Sequence, residues 1–381
     1  MTKDSMACIA NQPPESLSPI VRHLLGEEVT SVADLQIDRI GRSVGPGTLG
    51  IYRVTGKASM AAGPQSWSAV VKVIGAPDGL NASTEVDPNR EISVYRSNVF
   101  ASLRRGVRAA RCYTIQEKGD LQLLWLEDLS AAPQPPWNTH HYIETARHLG
   151  LFNGHWPEQA LPDWAWLSRG GLFRKYRAAH HEAAFARLPV IQDHDLIRLG
   201  APNGIHDLMQ LWQDGHQLLE KATAAPKGIC HLDCHARNLF PARDAKSEPC
   251  TIAIDWASVG IDSLGTDICT LLSSALRWLD LTPEEARSLR HPVFEAYMSG
   301  LREAGWSGDE AHVKFVFLAC LGMEPIRNVW NMVNATDNPK FRAMVENALQ
   351  RPVGGVYVQW NKAQPFFIEC NRQALQLAAT L

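Results

Sequence analysis

Residues 130–136 read Ser-Ala-Ala-Pro-Gln-Pro-Pro, a stretch through which neither a helix nor a central strand can continue, because proline lacks the backbone donor and fixes φ. This segment divides a chain of two unlike halves. The 381 residues are enough for two or three domains or one large two-lobed unit. Before the break the pattern is short and β-like. Leu35 to Ile40, Gly50 to Thr55 and Ser68 to Ile74 read as strands, as do Val107 to Gln116 and Leu121 to Glu127. One helix is interposed. It opens at Asp87-Pro88, an N-cap candidate followed by proline, and is expected to run to about Leu103 with Ile92, Tyr95 and Val99 on one face. After the break the chain is mostly helical. His140–His155, His206–Ala224, Ser263–Leu281, Pro283–Ala304 and Glu310–Ala335 read as helices, with one β interruption at Cys250–Trp256. The expected fold class is therefore α+β. Residues 1–129 form a small β-rich lobe with one helix, after a helical or irregular lead-in over 1–34, and residues 130–381 form a larger helical lobe. A cleft is expected where two such lobes meet.

Lys and Arg number 37 against 40 Asp and Glu, a net charge of −3, so there is no basic excess with which to hold nucleic acid or an anionic membrane. No run of about 18 apolar residues occurs, and the first 16 residues carry Lys3, Asp4, Pro13, Pro14 and Glu15 rather than a secretory h-region. A cytoplasmic protein is expected. The eight cysteines include no Cys-x-x-Cys pair and read as reduced core thiols.

The densest cluster of chemically capable residues is Ile229 to Phe240, Ile-Cys-His-Leu-Asp-Cys-His-Ala-Arg-Asn-Leu-Phe, with Asp255 following a short apolar run. His231, Asp233 and Asn238 stand in the spacing His-x-Asp-x-x-x-x-Asn. A zinc site built from Cys230, His231, Cys234 and His235 would crowd its ligands beyond ordinary zinc spacing. The segment resembles the aminoglycoside phosphotransferase and choline kinase family, relatives of the protein kinases. That resemblance implies a bilobal protein-kinase-like fold, Asp233 as the base beside a substrate hydroxyl, and Asn238 and Asp255 as Mg²⁺ ligands. Two oxygen donors suffice for Mg²⁺, which keeps waters and takes nucleotide phosphates as its other ligands. His231 reads as structural.

The first half holds segments that match the same plan. Gly45-Pro-Gly-Thr-Leu-Gly50 fits Gly-x-Gly-x-x-Gly, but it leads into a strand, not the helix a dinucleotide fingerprint requires. The resemblance makes Gly45, Gly47 and Thr48 part of a phosphate lid. Lys72, within Val-Val-Lys-Val-Ile, needs a partner if it is buried. The resemblance places it on the ATP α- and β-phosphates with Glu91 as its ion-pair partner, although Glu85 lies near. Leu124-Trp-Leu-Glu-Asp-Leu129 resembles the hinge that meets adenine, with Glu127 and Leu129 contributing main-chain groups. Asp267 matches a position that steadies the catalytic loop. Leu232 and Arg237 depart from the family pattern, which often has glycine there, and Trp256-Ala257 replaces the common Trp-Glu. Arg237 reads as a solvated loop arginine that could instead add charge near the phosphates.

The resulting expectation is an ATP- and Mg²⁺-dependent transfer to a hydroxyl of a small molecule. The alternative is a pseudokinase or regulatory nucleotide-binding module. Glu324 and Trp330, on a late helix, are nominated for the substrate site. The tail from Asn371 to Leu381 carries no acidic side chain, which disfavours a polycationic antibiotic as substrate.

Overall fold

The computed structural model describes residues 5–41, 47–75, 88–100, 103, 106–244 and 246–381. It is an α+β protein that divides into two compact units. One comprises residues 1–102 and 109–132, the other 103–108 and 133–381.

In the first unit the helices α1 (Ala7–Ala10) and α2 (Ser18–Leu25) precede β1 (Ser31–Arg39), β2 (Thr48–Ser59) and β3 (Gln65–Gly75). Then come α3 (Pro88–Ser97), β5 (Cys112–Lys118) and β6 (Leu121–Glu127); the short β4 (Val107–Ala109), between α3 and β5 in the chain, begins in the segment 103–108 that belongs to the other unit. Five strands form one antiparallel sheet in the order β1-β2-β3-β6-β5. Strand alternation sends Trp67, Ala69, Val71 and Val73 of β3 into a core with Tyr52, Val54, Leu123 and Trp125, to which α2 adds Ile20 and Val21. Lys72 has the opposite parity and leaves by the other face. β3 lies between β2 and β6, so Lys72 is on a central strand.

The expected helix to Leu103 stops at Ser97, because Asn98 turns left-handed at φ 56°, a conformation that ends helices. The strand read as Val107–Gln116 is two strands. Its first part, β4, pairs in a three-stranded sheet with β10 (Pro249–Ala253) and β9 (Leu239–Arg243), while β5 stays in the large sheet.

The second unit contains α4 (Thr139–Asn153), β7 (Ser168–Arg169), α5 (Gly171–Arg177), α6 (Ala179–Arg187), α7 (Asp195–Gly200), α8 (His206–Ala224) and β8 (Lys227–Cys230). After β9 and β10 come β11 (Gly260–Ser263), α9 (Thr266–Arg277), α10 (Pro283–Glu303), α11 (Glu310–Asp337), α12 (Pro339–Leu349) and α13 (Val353–Ala378). The helix expected from Ser263 starts at Thr266 because residues 260–263 pair with β8 as β11. The expected β interruption has a partner, β9. The helices α4 and α10 approach until backbones touch. A Cβ on Gly150 would lie 2.1 Å from the Tyr297 carbonyl oxygen, and one on Gly300 would lie 2.1 Å from that of Arg147. From Phe315 to Ile326 every residue of α11 is buried, which makes it the central rod of the unit. No helix among the described residues is long and apolar enough to cross a membrane. All eight cysteines are free, six of them buried.

His148 of α4 is buried, with Nδ1 3.0 Å from Thr251 Oγ1 on β10. Burial, with Arg147 adding to it, pushes its pKa down to about 4, against a smaller opposing pull from Glu303. The folded state therefore holds it neutral while the unfolded chain protonates near pH 6.5. Stability attributable to this residue is present above that pH and falls as pH drops toward 4. Between pH 7 and pH 5 the loss is on the order of 2 kcal/mol. Urea melts at the two pH values check this: His148→Gln should shrink the pH dependence by about that amount, and an unchanged dependence would contradict the assignment.

Candidate functional site

The residues of the His-x-Asp-x-x-x-x-Asn motif lie on the loop from the end of β8 to the start of β9. One buried carboxylate fixes its entry. Asp267, in the first turn of α9, accepts the backbone N–H of His231 at Oδ2 and that of Leu232 at Oδ1, both at 2.9 Å. The Asn153 side-chain amide donates to the same Oδ2 at 2.9 Å. Leu232 is held at φ 66°, in the left-handed region that glycine adopts without strain. For leucine that conformation costs about 1–2 kcal/mol, and the paired N–H bonds to Asp267 offset it. His231 ties the loop to the second strand of the hairpin. Its Nε2 lies 2.9 Å from the Ile254 carbonyl, and its Nδ1 accepts the Asp233 N–H at 3.3 Å. Its ring packs on buried Trp256 at 4.6 Å.

Asp233 and Asn238 meet across this loop. Asn238 Nδ2 donates to Asp233 Oδ2 at 2.9 Å and to the Asp233 carbonyl at 3.2 Å. The amide nitrogen is thereby committed to Asp233, and the amide oxygen of Asn238 is the end suited to a cation. Burial raises the pKa of Asp233, but the His235 imidazole 3.6 Å away, His231 and Arg327 more than reverse this and hold the carboxyl well below the usual range. Asp255 is brought to the same place by strand pairing. Register between β9 and β10 sets Ala253 against Leu239, and the next residue, Ile254, donates its N–H to the Asn238 carbonyl at 3.0 Å. Asp255 itself is left-handed, at φ 60° and ψ 62°. A non-glycine residue in that region marks backbone held against its preference.

An Asn oxygen and an Asp carboxylate are hard donors that fit Mg²⁺, with waters and phosphates as its other ligands. Among the described residues no group of three or more His, Cys, Asp and Glu is placed to hold a metal ion.

In the first unit Lys72 Nζ lies 2.6 Å from Glu91 Oε2 on α3, and both residues are buried. Glu91 is a partner of Lys72, and Glu85 lies outside the described residues. So does Gly45. Gly47 has φ 79° and its carbonyl accepts the Gly75 N–H, and Thr48 opens β2 opposite Ile74. Glu127 ends β6. Its N–H donates to the Arg111 carbonyl, and its carboxylate accepts the Arg111 N–H, each at 2.9 Å. Leu129 follows, its carbonyl accepting the Ala132 N–H. Asp128, between them, binds Arg53 at 2.9 Å and the Ser68 hydroxyl.

One expectation is corrected. Arg237 is no solvated loop arginine: it makes a two-pronged bond to Asp280 at 2.6 and 3.0 Å and lies 4.4 Å over the Trp278 ring. Glu324 does not present a carboxylate to solvent. It is 2% exposed and is surrounded by Arg277 at 2.8 Å, Lys175 at 3.2 Å, Arg327 at 3.6 Å and the Tyr176 hydroxyl at 2.9 Å. These cations hold its carboxyl well below the usual range despite burial. Trp330 is half-buried against His180 and Phe341. The cations around Glu324 were missed because α5 and α9 supply two of them from distant sequence. Only Glu324-x-x-Arg327 shows locally.

No family model and no curated protein matches the chain. It is similar to several solved structures. An aminoglycoside phosphotransferase from Alicyclobacillus acidocaldarius shares 15% identity over 90% of this chain and 93% of that one, with a TM-score of 0.48. An amicoumacin kinase in complex with AMP-PNP, Ca²⁺ and Ami shares 14% identity over 91% and 97%, with a TM-score of 0.46. A Plasmodium vivax ethanolamine kinase shares 11% over 83% and 81%, with a TM-score of 0.46.

The Lys72–Glu91 pair generates a direct test. Lys72→Met leaves a buried carboxylate opposite an apolar chain, which should cost about 3–5 kcal/mol. Lys72→Met/Glu91→Leu should recover most of that loss. Denaturant melts of the four proteins, followed by tryptophan fluorescence, measure the coupling; additive losses would mean the two side chains are not paired.

Proposed function

We propose that this protein is an ATP-dependent phosphotransferase that moves the γ-phosphoryl group to a hydroxyl of a small molecule. The observation that carries this reading is the loop itself. Asp233 and Asn238 are bonded to each other, Asp255 follows the residue bonded to Asn238, and the loop entry is clamped by Asp267. A structural loop has no need of a half-exposed carboxylate held ionised beside a side-chain amide.

The Asn238 bond occupies Oδ2 of Asp233, so Oδ1 is the oxygen offered to an acceptor hydroxyl. Asp233 orients that hydroxyl and takes its proton as the oxygen–phosphorus bond forms. Its depressed pKa keeps it ionised across the neutral range, and it makes the group a weak base, suited to a loose transition state in which the proton leaves late. Asn238 and Asp255 would hold Mg²⁺, which when bound neutralises charge on the phosphoryl oxygens. In this reading Lys72, fixed by Glu91, binds the α- and β-phosphates. Gly45, Gly47 and Thr48 cover them, and Glu127 and Leu129 meet adenine through the main chain.

Asp233→Asn removes the proton acceptor at nearly constant shape. Turnover should fall by about 10²–10⁴-fold with little change in affinity for an ATP analogue. Single-turnover transfer from labelled ATP is the measurement. A variant that transfers within about twofold of the parent would rule Asp233 out as base and favour a nucleotide-binding module without turnover.

A further inference from the structure

Asp267 anchors the entry of the 231–238 loop to the start of α9, and a second pair of side chains anchors the exit of the loop beyond the other end of that helix. α9 runs 12 residues, from Thr266 to Arg277, a rise of about 18 Å. Its last turn closes with Leu279 left-handed at φ 63° and with the Asp280 N–H donating to the Ala275 carbonyl at 2.8 Å. A left-handed residue followed by a bond back over the last turn fixes the backbone that leaves a helix. Here it presents two side chains to the loop, the Trp278 ring and an Asp280 carboxylate that is 8% exposed.

Arg237 engages both. Its Nη1 and Nη2 reach the two Asp280 oxygens at 2.6 and 3.0 Å, and its guanidinium lies 4.4 Å from the centre of the Trp278 ring. Fixing so long a side chain costs rotamer entropy, which a planar carboxylate and a flat ring offset because both match the guanidinium fork. The Asp280 charge cancels that of Arg237, so the pair brings no net charge to a nucleotide. The effect falls instead on the main chain. The Arg237 N–H donates to His235 Nδ1 at 3.3 Å, which leaves the proton of that ring on Nε2, the atom 3.6 Å from Asp233 Oδ2. The next residue is Asn238, whose N–H donates to the His235 carbonyl at 2.8 Å and whose side chain donates to Asp233.

We infer that Arg237 is a positioning residue: its two-pronged bond to Asp280 holds the exit of the loop, so that the Asn238 side chain and the Asp233 carboxylate stand in fixed places before a metal or nucleotide arrives. The inference rests on the phosphotransferase reading for the metal that Asn238 would hold, but not for order in the loop. One helix then sets both ends of the loop, the entry through Asp267 in its first turn and the exit through Asp280 beyond its last.

Two mild variants of the full chain test this. Asp280→Asn removes the charge and one prong and leaves Arg237, 35% exposed, to water; Arg237→Lys keeps the charge but not the fork. Hydrogen–deuterium exchange without metal or nucleotide, resolved to single amides, reads order in the loop. Exchange at Asn238 and Leu239 should rise about tenfold or more in both variants, while the His231 and Leu232 amides, held by Asp267, exchange as in the parent. Calorimetry with AMP-PNP reads the consequence. Affinity with Mg²⁺ should fall about 10–100-fold, and affinity without Mg²⁺ should stay as it was. A lower melting temperature with unchanged exchange at Asn238 and Leu239 in both variants would mean that the pair serves only the α9–α10 connection, and would overturn the inference. So would faster exchange with the Mg²⁺ dependence of an active parent retained. Transfer from labelled ATP is read separately. A parent that transfers phosphate, with variants that keep its exchange and Mg²⁺ dependence, would keep the phosphotransferase reading and overturn the positioning role. A parent with neither transfer nor Mg²⁺-dependent binding, whose variants still loosen Asn238 and Leu239, would do the reverse.

Discussion

The Asp267 carboxylate is the point on which the candidate site depends. It sits fully buried at the start of α9 and receives the His231 and Leu232 N–H groups and the Asn153 side chain. Its position in the first turn, where unpaired helix N–H groups favour negative charge, stabilises a carboxylate there. Asn153 passes the connection on, because its own Oδ1 accepts the Tyr297 hydroxyl of α10. One acid thus joins the 231–238 loop to α4, α9 and α10. The left-handed turn at Leu232 is affordable only inside that frame. From it follow the His231 bond to Ile254, the Asn238 bond to Asp233, and the position of Asp255.

A second buried acid, Glu324, does different work. Asp267 accepts neutral donors and fixes backbone, whereas Glu324 gathers three cationic side chains from three helices. Buried ion clusters of this kind are weak evidence for stability, since apolar replacements can be equally stable.

Much of this was legible where the local pattern was long or regular. The strand Leu121–Glu127 and the helix His206–Ala224 carry clear periodicity and appear at those bounds. Lys72 announced a buried partner by its apolar neighbours, and Glu91 stands there. The helices α5, α6 and α7 were not read because each has nine residues or fewer, too short for a periodic signal. α13 was missed because Gly354, Gly355 and Pro365 look like breaks, yet packing on α11 keeps the helix continuous. Strands β8, β9 and β11 have four or five residues and exist through tertiary pairing. Arg237 was misread because its partner, Asp280, is far away in sequence, and side-chain charge alone does not say whether a residue faces water or another charge.

The central claim is that Asn238 and Asp255 bind the metal that accompanies a nucleotide. Calorimetric titration of AMP-PNP into the parent chain and Asp255→Ala, with and without Mg²⁺, tests it most directly. The account predicts tight binding only for the parent with Mg²⁺, and a loss of at least about tenfold when either the metal or the Asp255 carboxylate is removed. Equal affinity in all four titrations would contradict it.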